Sequence, residues 1–116
     1  MAPQKDSNCI FCKVVDKQIP SKLVKESNDY VVIRDINPQA PTHVLIVPKQ
    51  HVRNIAEFED ADALGRLFQV ARDIANNEGL ENGFRVVVNT GTDGGQTVDH
   101  LHIHVLGGRA LGWPPG

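Results

Sequence analysis

The chain has 116 residues, a formal net charge of −2, and 41% hydrophobic and 22% charged residues. These values are typical of one soluble globular domain, and the weak negative charge argues against nucleic acid or an anionic membrane as a partner. No apolar run approaches the roughly 20 residues of a membrane span, and the polar start "MAPQKDSN" lacks a signal-peptide core. We therefore expect a cytoplasmic protein, with the nucleus as a second expected location.

The first half of the chain predicts a short helix followed by three strands. Residues 1–8 are expected to form a flexible tail ahead of a single domain over residues 9–116. The segment "CIFCKVVDKQ" can hold a short helix that ends before Pro20. The Val- and Ile-rich segments "KLVKES" and "YVVIRDI" predict a hairpin, and "THVLIVPK" predicts a third strand that ends at Pro48.

The second half predicts one long helix and two more strands. Apolar residues recur three and four positions apart over about residues 58–78, and Gly79 supplies a helix stop. The segments "FRVVVN" and "VDHLHIHVLGG" predict the fourth and fifth strands. Because helices do not alternate regularly with the strands, we predict an α+β fold with a five-stranded antiparallel sheet, one long helix and one short helix.

Three histidines alternate with apolar residues in the predicted fifth strand. Side chains of a strand alternate between its faces, so His100, His102 and His104 should share one face and the apolar residues the other. Such a face can converge on a metal ion or line an anion site. The preceding loop "NTGTDGGQT" offers several unhindered backbone N–H groups, which suit phosphate oxygens. Loop and histidines together indicate imidazole chemistry on a phosphate.

The same segments resemble those of a known family. The run "HLHIHVLGGR" fits the signature His-φ-His-φ-His-φ-φ, where φ is an apolar residue. The segments "INPQAPTHVLIVPKQH", "VVVNTGTDGGQT" and "GWPPG" resemble the nucleotide-binding (Hint) branch of the histidine-triad (HIT) superfamily, from about residue 10 to residue 116. The resemblance implies the HIT-like fold, a homodimer and a purine nucleoside phosphoramidase, which hydrolyses the P–N bond between an AMP-like nucleotide and an amine. AMP, GMP and adenosine phosphoramidates are the expected ligands.

The resemblance also implies roles for individual residues, and imidazole is a competent nucleophile near neutral pH. His102 is expected to attack phosphorus and become transiently nucleotidylated, while His104 holds a phosphate oxygen. His100 is expected to assist the neighbouring site and His43 to orient the imidazoles. The expected nucleotide-binding residues are Asp35, Ile36, Asn89, Gly95, Gln96, Thr97, His102, His104 and Trp113. This chemistry requires no metal ion.

The two cysteines raise a separate question. Cys9 and Cys12 have the C-x-x-C spacing of a metal half-site or a redox pair. Some histidine-triad relatives that carry "CxFC" here bind a structural zinc ion through two cysteines and two histidines. From this resemblance we expect structural zinc at Cys9, Cys12, His51 and His100. The alternative is a pair of reduced thiols that pack an N-terminal helix.

Two other functions stay open. One is a dinucleoside polyphosphate hydrolase, against which the "GWPPG" ending argues. The other is a nucleotide-binding interaction or regulatory protein whose turnover is incidental. The sequence also departs from the branch at two positions: Thr97 stands where serine is usual, and Asp99 where an aromatic or apolar residue is common. The natural leaving amine has no signature in the sequence.

Overall fold

The computed structural model describes residues 6–116, which form one antiparallel sheet with a helix on each face. The elements in chain order are α1 (Ile10–Val15), β1 (Leu23–Glu26), β2 (Tyr30–Arg34), β3 (Thr42–Pro48), a 3-10 turn (Ile55–Glu57), α2 (Ala61–Asn77), β4 (Phe84–Val87) and β5 (Ile103–Gly107). The strand order is β1-β2-β3-β5-β4, and every neighbouring pair is antiparallel. The predicted α+β fold with five strands, one long helix and one short helix is confirmed.

The chain enters the fold through a turn that leads into α1. Residues 1–5 of the predicted flexible tail lie outside the described residues. Cys9 N–H donates to the Asp6 carbonyl (3.1 Å), and Asn8 N–H donates to Asp6 Oδ1 (2.9 Å). Cys9 then caps α1, because its Sγ accepts from Cys12 N–H at 3.4 Å. A helix of six residues has little stability of its own, so α1 depends on what its side chains contact.

The period of two in the strands divides the apolar side chains between two cores. The core beneath α2 contains Val32, Val44, Ile46, Leu67, Val70, Ala71, Ile74, Ala75, Ile103 and Val105. The core beneath α1 contains Cys9, Phe11, Cys12, Val14, Val15, Val31, Ile33, Leu45 and Val47. Strand β3 supplies both cores, which is why its sequence reads as a nearly continuous apolar run.

The long helix begins three residues later than the sequence predicts and ends one residue earlier. The Asp60 side chain accepts from Ala63 N–H at 3.0 Å and so caps the helix at its first turn. Gly79 follows the helix in the left-handed conformation, with φ +70°, where glycine carries no steric cost. Over residues 6–116, no helix combines the length and the apolar character that a membrane crossing requires.

The fifth strand is shorter than its apolar alternation predicts. The expected strand covered "VDHLHIHVLGG" (residues 98–108), but β5 spans Ile103–Gly107, and Leu101 N–H donates to the Val52 carbonyl beyond the end of β3 (2.7 Å). Pro48 of β3 has no N–H to donate, and its carbonyl accepts from the His100 ring instead (2.8 Å). His104 is therefore the one member of the three histidines that lies within a strand.

Candidate active site and metal cluster

The three alternating histidines have three different sets of neighbours. The His100 side chain is fully buried beside the two cysteines. His102 is 7% exposed and packs under the ring of Phe11, with the two ring centroids 5.0 Å apart. His104 lies opposite Leu45 of β3 and contacts the ring of His43. The three imidazoles thus occupy separate positions rather than converging on one point.

Two cysteines and two histidines form a buried cluster at the N-terminus of α1. The cluster consists of Cys9, Cys12, His51 and His100. His100 Nδ1 lies 3.3 Å from Cys9 Sγ, 3.6 Å from Cys12 Sγ and 3.2 Å from His51 Nδ1, and Cys12 Sγ lies 3.4 Å from His51 Nδ1. The C-x-x-C spacing places both thiols at the start of one helix, and the chain beyond β3 returns His51 to them.

The donor atoms of this cluster fit a tetrahedral zinc ion. Bonds of about 2.0–2.3 Å to nitrogen and sulfur separate the ligand atoms of such a site by roughly 3.3–3.8 Å, close to the separations in the cluster. The His100 Nε2–H must donate to the Pro48 carbonyl (2.8 Å), since a carbonyl only accepts. The Nδ1 lone pair of His100 therefore faces the thiols, as a metal ligand requires.

The protonation of His102 follows from its own hydrogen bond. His102 Nδ1 lies 2.7 Å from the backbone carbonyl of His100, so Nδ1 carries the hydrogen. A neutral ring with its hydrogen on Nδ1 has a lone pair on Nε2. The ring is also held by Phe11, which meets it at an interplanar angle of 73°. His102 thus presents a fixed Nε2 lone pair, the form of imidazole that can act as a nucleophile.

A second series of hydrogen bonds places the hydrogen of His104 on the other ring nitrogen, Nε2. Gln39 N–H donates to His43 Nδ1 (3.0 Å), which leaves the hydrogen of a neutral His43 ring on Nε2. This Nε2–H donates to His104 Nδ1 at 2.9 Å, with the Asp35 carboxylate 3.4 Å away as a further acceptor. A neutral His104 must then carry its hydrogen on Nε2. That atom is buried and has no hydrogen-bond partner among residues 6–116.

Burial keeps the rings of His43 and His104 neutral. Desolvation is the main reason why the pKa of His104 falls to about 4, and the neighbouring imidazoles of His102 and His43 lower it further. Desolvation also lowers the pKa of His43, although the Asp35 carboxylate opposes this shift. His104 is therefore a neutral donor at pH 7. Its unpartnered N–H is an unfavourable feature in the free protein that an anionic oxygen would satisfy.

The lowered pKa of His104 predicts a loss of stability in acid. The unfolded chain, with an ordinary histidine pKa of about 6.5, binds the proton more tightly than the folded chain. The stability that comes from burying a neutral His104 is fully present above about pH 6.5 and is lost as pH falls through about 4. Between pH 7 and pH 5 the wild-type protein should lose about 2 kcal/mol more stability than His104→Asn, measured by urea unfolding. Parallel losses in the two proteins would contradict the assignment, because acid effects on the metal cluster are common to both.

The glycine-rich loop next to the histidines is held by one amide side chain. Gln96 Oε1 accepts from Gly91 N–H (3.0 Å), and Gln96 Nε2 donates to the carbonyls of Arg53 (2.6 Å) and Val98 (2.9 Å). Gly91 and Gly95 have positive φ values of 71° and 79°, which glycine adopts without strain. Gln96 thus shapes the loop. The N–H groups of Gly91, Gly95 and Gln96 are bonded within it, so an anion would rely on the other backbone N–H groups of the loop.

The loop is packed too tightly at Gly94 to accept a side chain. A Cβ at this position would lie 2.3 Å from the Thr90 carbonyl oxygen and 2.8 Å from the Thr90 nitrogen. Both atoms are backbone, so Gly94→Ala must move the loop. We expect kcat/KM for a nucleotide substrate to fall roughly 10- to 100-fold, equivalent to about 1.4–2.7 kcal/mol. Gly65→Ala, where an added Cβ meets nothing within 4 Å, should keep the wild-type value. Equal kinetics for the two variants would show that the loop geometry is not used.

The remaining residues expected at the nucleotide site differ in exposure. Asp35 contacts His43, as described above, and Ile36 beside it is 93% exposed. Trp113 is 84% exposed in the C-terminal segment, whose Gly112 carbonyl accepts from Arg85 of β4 (2.7 Å). Asn89 is partly buried and Thr97 exposed, at either end of the glycine-rich loop. An isolated chain therefore leaves two large apolar side chains uncovered at the site's expected margin.

Three contributors to the site were not identified from the sequence. Phe11 contacts both His100 and His102, and its only signal in the sequence was the phenylalanine of the "CxFC" pattern, to which no role was assigned. Gln39 and Pro48 act through backbone atoms, which fix the hydrogen positions on His43 and His100. Backbone contacts of this kind leave no trace in residue type, so only the tertiary structure reveals them.

One sizeable cleft lies away from this chemistry. It has a volume of about 710 Å³ and is lined by α2, the residues just before it, the β1–β2 turn with Tyr30, and the end of β3 with Pro48. None of the five histidines lines it. Because α2 and α1 cover opposite faces of the sheet, this cleft is separate from the histidine site.

Comparisons with known proteins agree with the geometry. The family model described as the HIT domain matches residues 16–111. The chain is 50% identical over 115 residues to a "14 kDa zinc-binding protein" of Zea mays, a match that covers 96% of this chain and 90% of that protein. A crystal structure of a HIT family hydrolase from Legionella pneumophila superposes with a TM-score of 0.91 at 46% identity, covering 94% of this chain and all of the other.

A histidine triad nucleotide-binding protein from Candida albicans is also similar. Its crystal structure superposes with a TM-score of 0.81 at 32% identity and covers 92% of this chain and 83% of the other. The match of the family model over most of the chain, together with these relatives, shows that the chain belongs to the histidine-triad (HIT) domain family.

Proposed function

We propose that this HIT-family protein is a purine nucleoside phosphoramidase that works through a nucleotidylated His102. The observation that carries the proposal is the opposite protonation of two neighbouring rings. His102 offers a lone pair at Nε2, while His104 offers an N–H at Nε2. Their ring centroids lie 5.0 Å apart. A nucleophile beside a fixed donor for a phosphoryl oxygen is the pair that phosphoryl transfer requires.

In the first step, His102 Nε2 attacks phosphorus and the P–N bond breaks. The leaving nitrogen keeps the bond's electron pair and takes up one proton from solvent to depart as the amine, and the attacking water returns one proton to solvent in the second step. His102 Nδ1–H keeps its bond to the His100 carbonyl, which stabilises the positive charge that the ring acquires. His104 Nε2–H and the amides of the glycine-rich loop stabilise the negative charge on the phosphoryl oxygens.

In the second step, water attacks the nucleotidyl group on His102. The N–P bond breaks, a proton leaves the water, and the nucleotide is released as AMP or GMP while His102 regains its lone pair. The net reaction consumes one water and yields one amine and one nucleotide. Asp35 and Ile36 are proposed to hold the ribose, and the 93% exposure of Ile36 leaves it free to contact a ligand. The Candida albicans relative is named a nucleotide-binding protein, which supports this ligand class.

We propose that zinc occupies the cysteine–histidine cluster and has a structural role. The cluster supplies four donors at tetrahedral separations, so no position is left open for water or substrate. Bound zinc would supply a cross-link between α1, the segment after β3 and the segment before β5. The name of the Zea mays relative, a zinc-binding protein, supports the choice of metal.

A comparison of two substrates tests the proposed activity. The protein should release amine from a fluorogenic adenosine phosphoramidate at least about 100-fold more efficiently than it cleaves a diadenosine polyphosphate, a difference of about 2.7 kcal/mol. The reverse preference would identify a dinucleoside polyphosphate hydrolase. Tight AMP binding without turnover of either substrate would instead favour a nucleotide-binding regulatory protein.

We also propose a homodimer in which β4 and α2 meet their counterparts. β4 is an edge strand of the sheet, and its Phe84 is 43% exposed, while Phe68 of α2 is 38% exposed. An uncovered edge strand with exposed aromatic side chains is a typical pairing surface. The exposed Trp113 follows the segment that is bonded to β4 and could then reach the partner's site.

Light scattering of an edge-strand variant tests the dimer. The wild-type protein should have the mass of two chains at micromolar concentration, and Phe84→Asp should have the mass of one, because a buried unpaired charge is costly. Leu23→Asp is the matched control, since Leu23 is 50% exposed on β1, the opposite edge. A wild-type mass of one chain, or dissociation by Leu23→Asp alone, would contradict this arrangement.

A further inference from the structure

His100 contributes both to the metal cluster, through its ring, and to the position of the proposed nucleophile His102, through its backbone carbonyl. The His100 ring places Nδ1 within 3.3 Å of Cys9 Sγ, and its backbone carbonyl accepts from His102 Nδ1–H at 2.7 Å. The acceptor of the hydrogen bond that leaves the lone pair on His102 Nε2 therefore belongs to a residue whose ring faces the cluster. The three histidines are equivalent in the sequence pattern, but one of them connects the two sites.

The position of this carbonyl is fixed from both sides. His100 Nε2–H donates to Pro48 O at 2.8 Å, and Leu101 N–H donates to Val52 O at 2.7 Å. Both His100 and Leu101 are fully buried. The peptide between them has little freedom as long as the His100 ring stays in place. Because the ring and this carbonyl belong to one buried residue, we expect a displacement of the ring to move the carbonyl that His102 uses.

The opposite edge of the His100 ring faces the other donor atoms of the cluster, where a bound cation would add to its contact with Pro48 O. His51 Nδ1 and His100 Nδ1 lie 3.2 Å apart, and both approach the Cys12 thiol. At this distance a neutral His51 ring with its hydrogen on Nδ1 donates to the His100 Nδ1 lone pair, and a bound cation would replace that hydrogen and be coordinated by both nitrogens. Two thiolates and two imidazoles are a donor set that suits zinc.

A second contact connects the cluster to the nucleophile. Phe11 lies between the ligands Cys9 and Cys12 on α1, and its ring is 5.9 Å from that of His100 and 5.0 Å from that of His102. Phe11 also belongs to the apolar core beneath α1, so this core and the cluster at the start of the short helix together position its ring. The same cation would thus hold both the hydrogen-bond acceptor of His102 and the ring that packs on it.

We propose that metal occupancy of the cluster controls the protonation form and orientation of His102, with His100 as the positioning residue. With zinc bound, His102 keeps its hydrogen on Nδ1 and its lone pair on Nε2. Without it, the His100 carbonyl shifts and part of the population moves the hydrogen to Nε2, which removes the nucleophilic lone pair. The catalytic consequence rests on the phosphoramidase function proposed above, whereas the structural coupling does not.

Nuclear magnetic resonance of histidine-labelled protein tests the coupling without substrate. The ¹⁵N signals and the Nδ1–H proton of His102 should be recorded at one fixed pH with zinc bound and after chelation, with circular dichroism to verify the fold. We expect the His102 signals to shift toward the Nε2–H form on zinc removal and to return on reloading. His43 and His104 belong to a separate hydrogen-bond chain and should move much less. Ile74→Val, which loosens the core under α2, should leave the signals of zinc-loaded His102 in place.

Cadmium replacement covers the case in which the metal-free protein unfolds. Cadmium forms longer bonds to the same donors, so it should keep the cluster filled while displacing the His100 ring, and the His102 Nδ1–H signal should move. In folded metal-free protein, the rate of nucleotidylation should also fall at least about tenfold. Unchanged His102 signals in folded metal-free protein, or in the cadmium form where chelation unfolds the chain, would overturn the coupling. Shifted signals in a protein that cleaves no phosphoramidate would support the coupling and reject the proposed activity instead.

Discussion

His102→Ala should lower phosphoramidate turnover at least about a thousandfold, equivalent to about 4 kcal/mol of barrier stabilisation. The variant loses the Nε2 lone pair, and no other ring can replace it. His104 Nδ1 accepts from His43, so the His104 ring presents an N–H at Nε2, and the His100 ring faces the cysteines. Rapid quenching of the wild-type reaction should trap an acid-labile nucleotidyl group on His102, which the variant should lack.

Binding of AMP should survive this substitution. The glycine-rich loop, Asp35 and the His104 N–H are unchanged, so calorimetry should detect AMP with both proteins. Arg72→Ala, on an exposed part of α2, serves as the control and should keep the wild-type rate. If His102→Ala retains more than about a tenth of the wild-type rate, a loss below about 1.4 kcal/mol, then another group is the nucleophile.

Cys12→Ala should produce the largest loss of stability. It removes one of four zinc donors from a site that is buried between α1 and the sheet. A ligand present at about a thousand times its dissociation constant stabilises the folded state by about 4 kcal/mol. For a domain of this size we expect Tm to fall on the order of 15 °C. Elemental analysis should find one zinc per wild-type chain and little in the variant.

A chelator and a neighbouring substitution separate the metal from packing. The chelator should lower the Tm of the wild-type protein toward that of Cys12→Ala and leave the variant almost unchanged. Val14→Ala removes buried apolar atoms from the same helix but keeps all four donors, so it should be moderately destabilised and still bind zinc. Equal sensitivity of wild type and Cys12→Ala to the chelator would be evidence against a zinc site at this cluster.

Local patterns in the sequence were enough to predict the architecture, because the apolar periods are strong. Val and Ile alternation defined the strands, and the three-and-four spacing from Leu64 to Ile74 defined the long helix. Only the boundaries of the helices and strands were predicted inexactly. Asp60, for example, caps α2 although it lies inside the predicted helix. The cysteine spacing and the histidine run also indicated which side chains carry chemistry, since those residue types are rare in the chain.

The role of each histidine depends on contacts between distant parts of the chain. Alternation predicted one face with three equivalent rings, but the β3–β5 ladder ends at the Ile46–Ile103 pair and Leu101 N–H donates to Val52 O, so His100 and His102 lie outside β5. Backbone groups at Gln39, Pro48 and His100 then set the hydrogen position on three of the rings. Every residue except proline carries the same backbone donor and acceptor, and sequence therefore cannot say which of them meets an imidazole. Long-range packing makes that choice, and with it gives His102, His104 and His100 different surroundings.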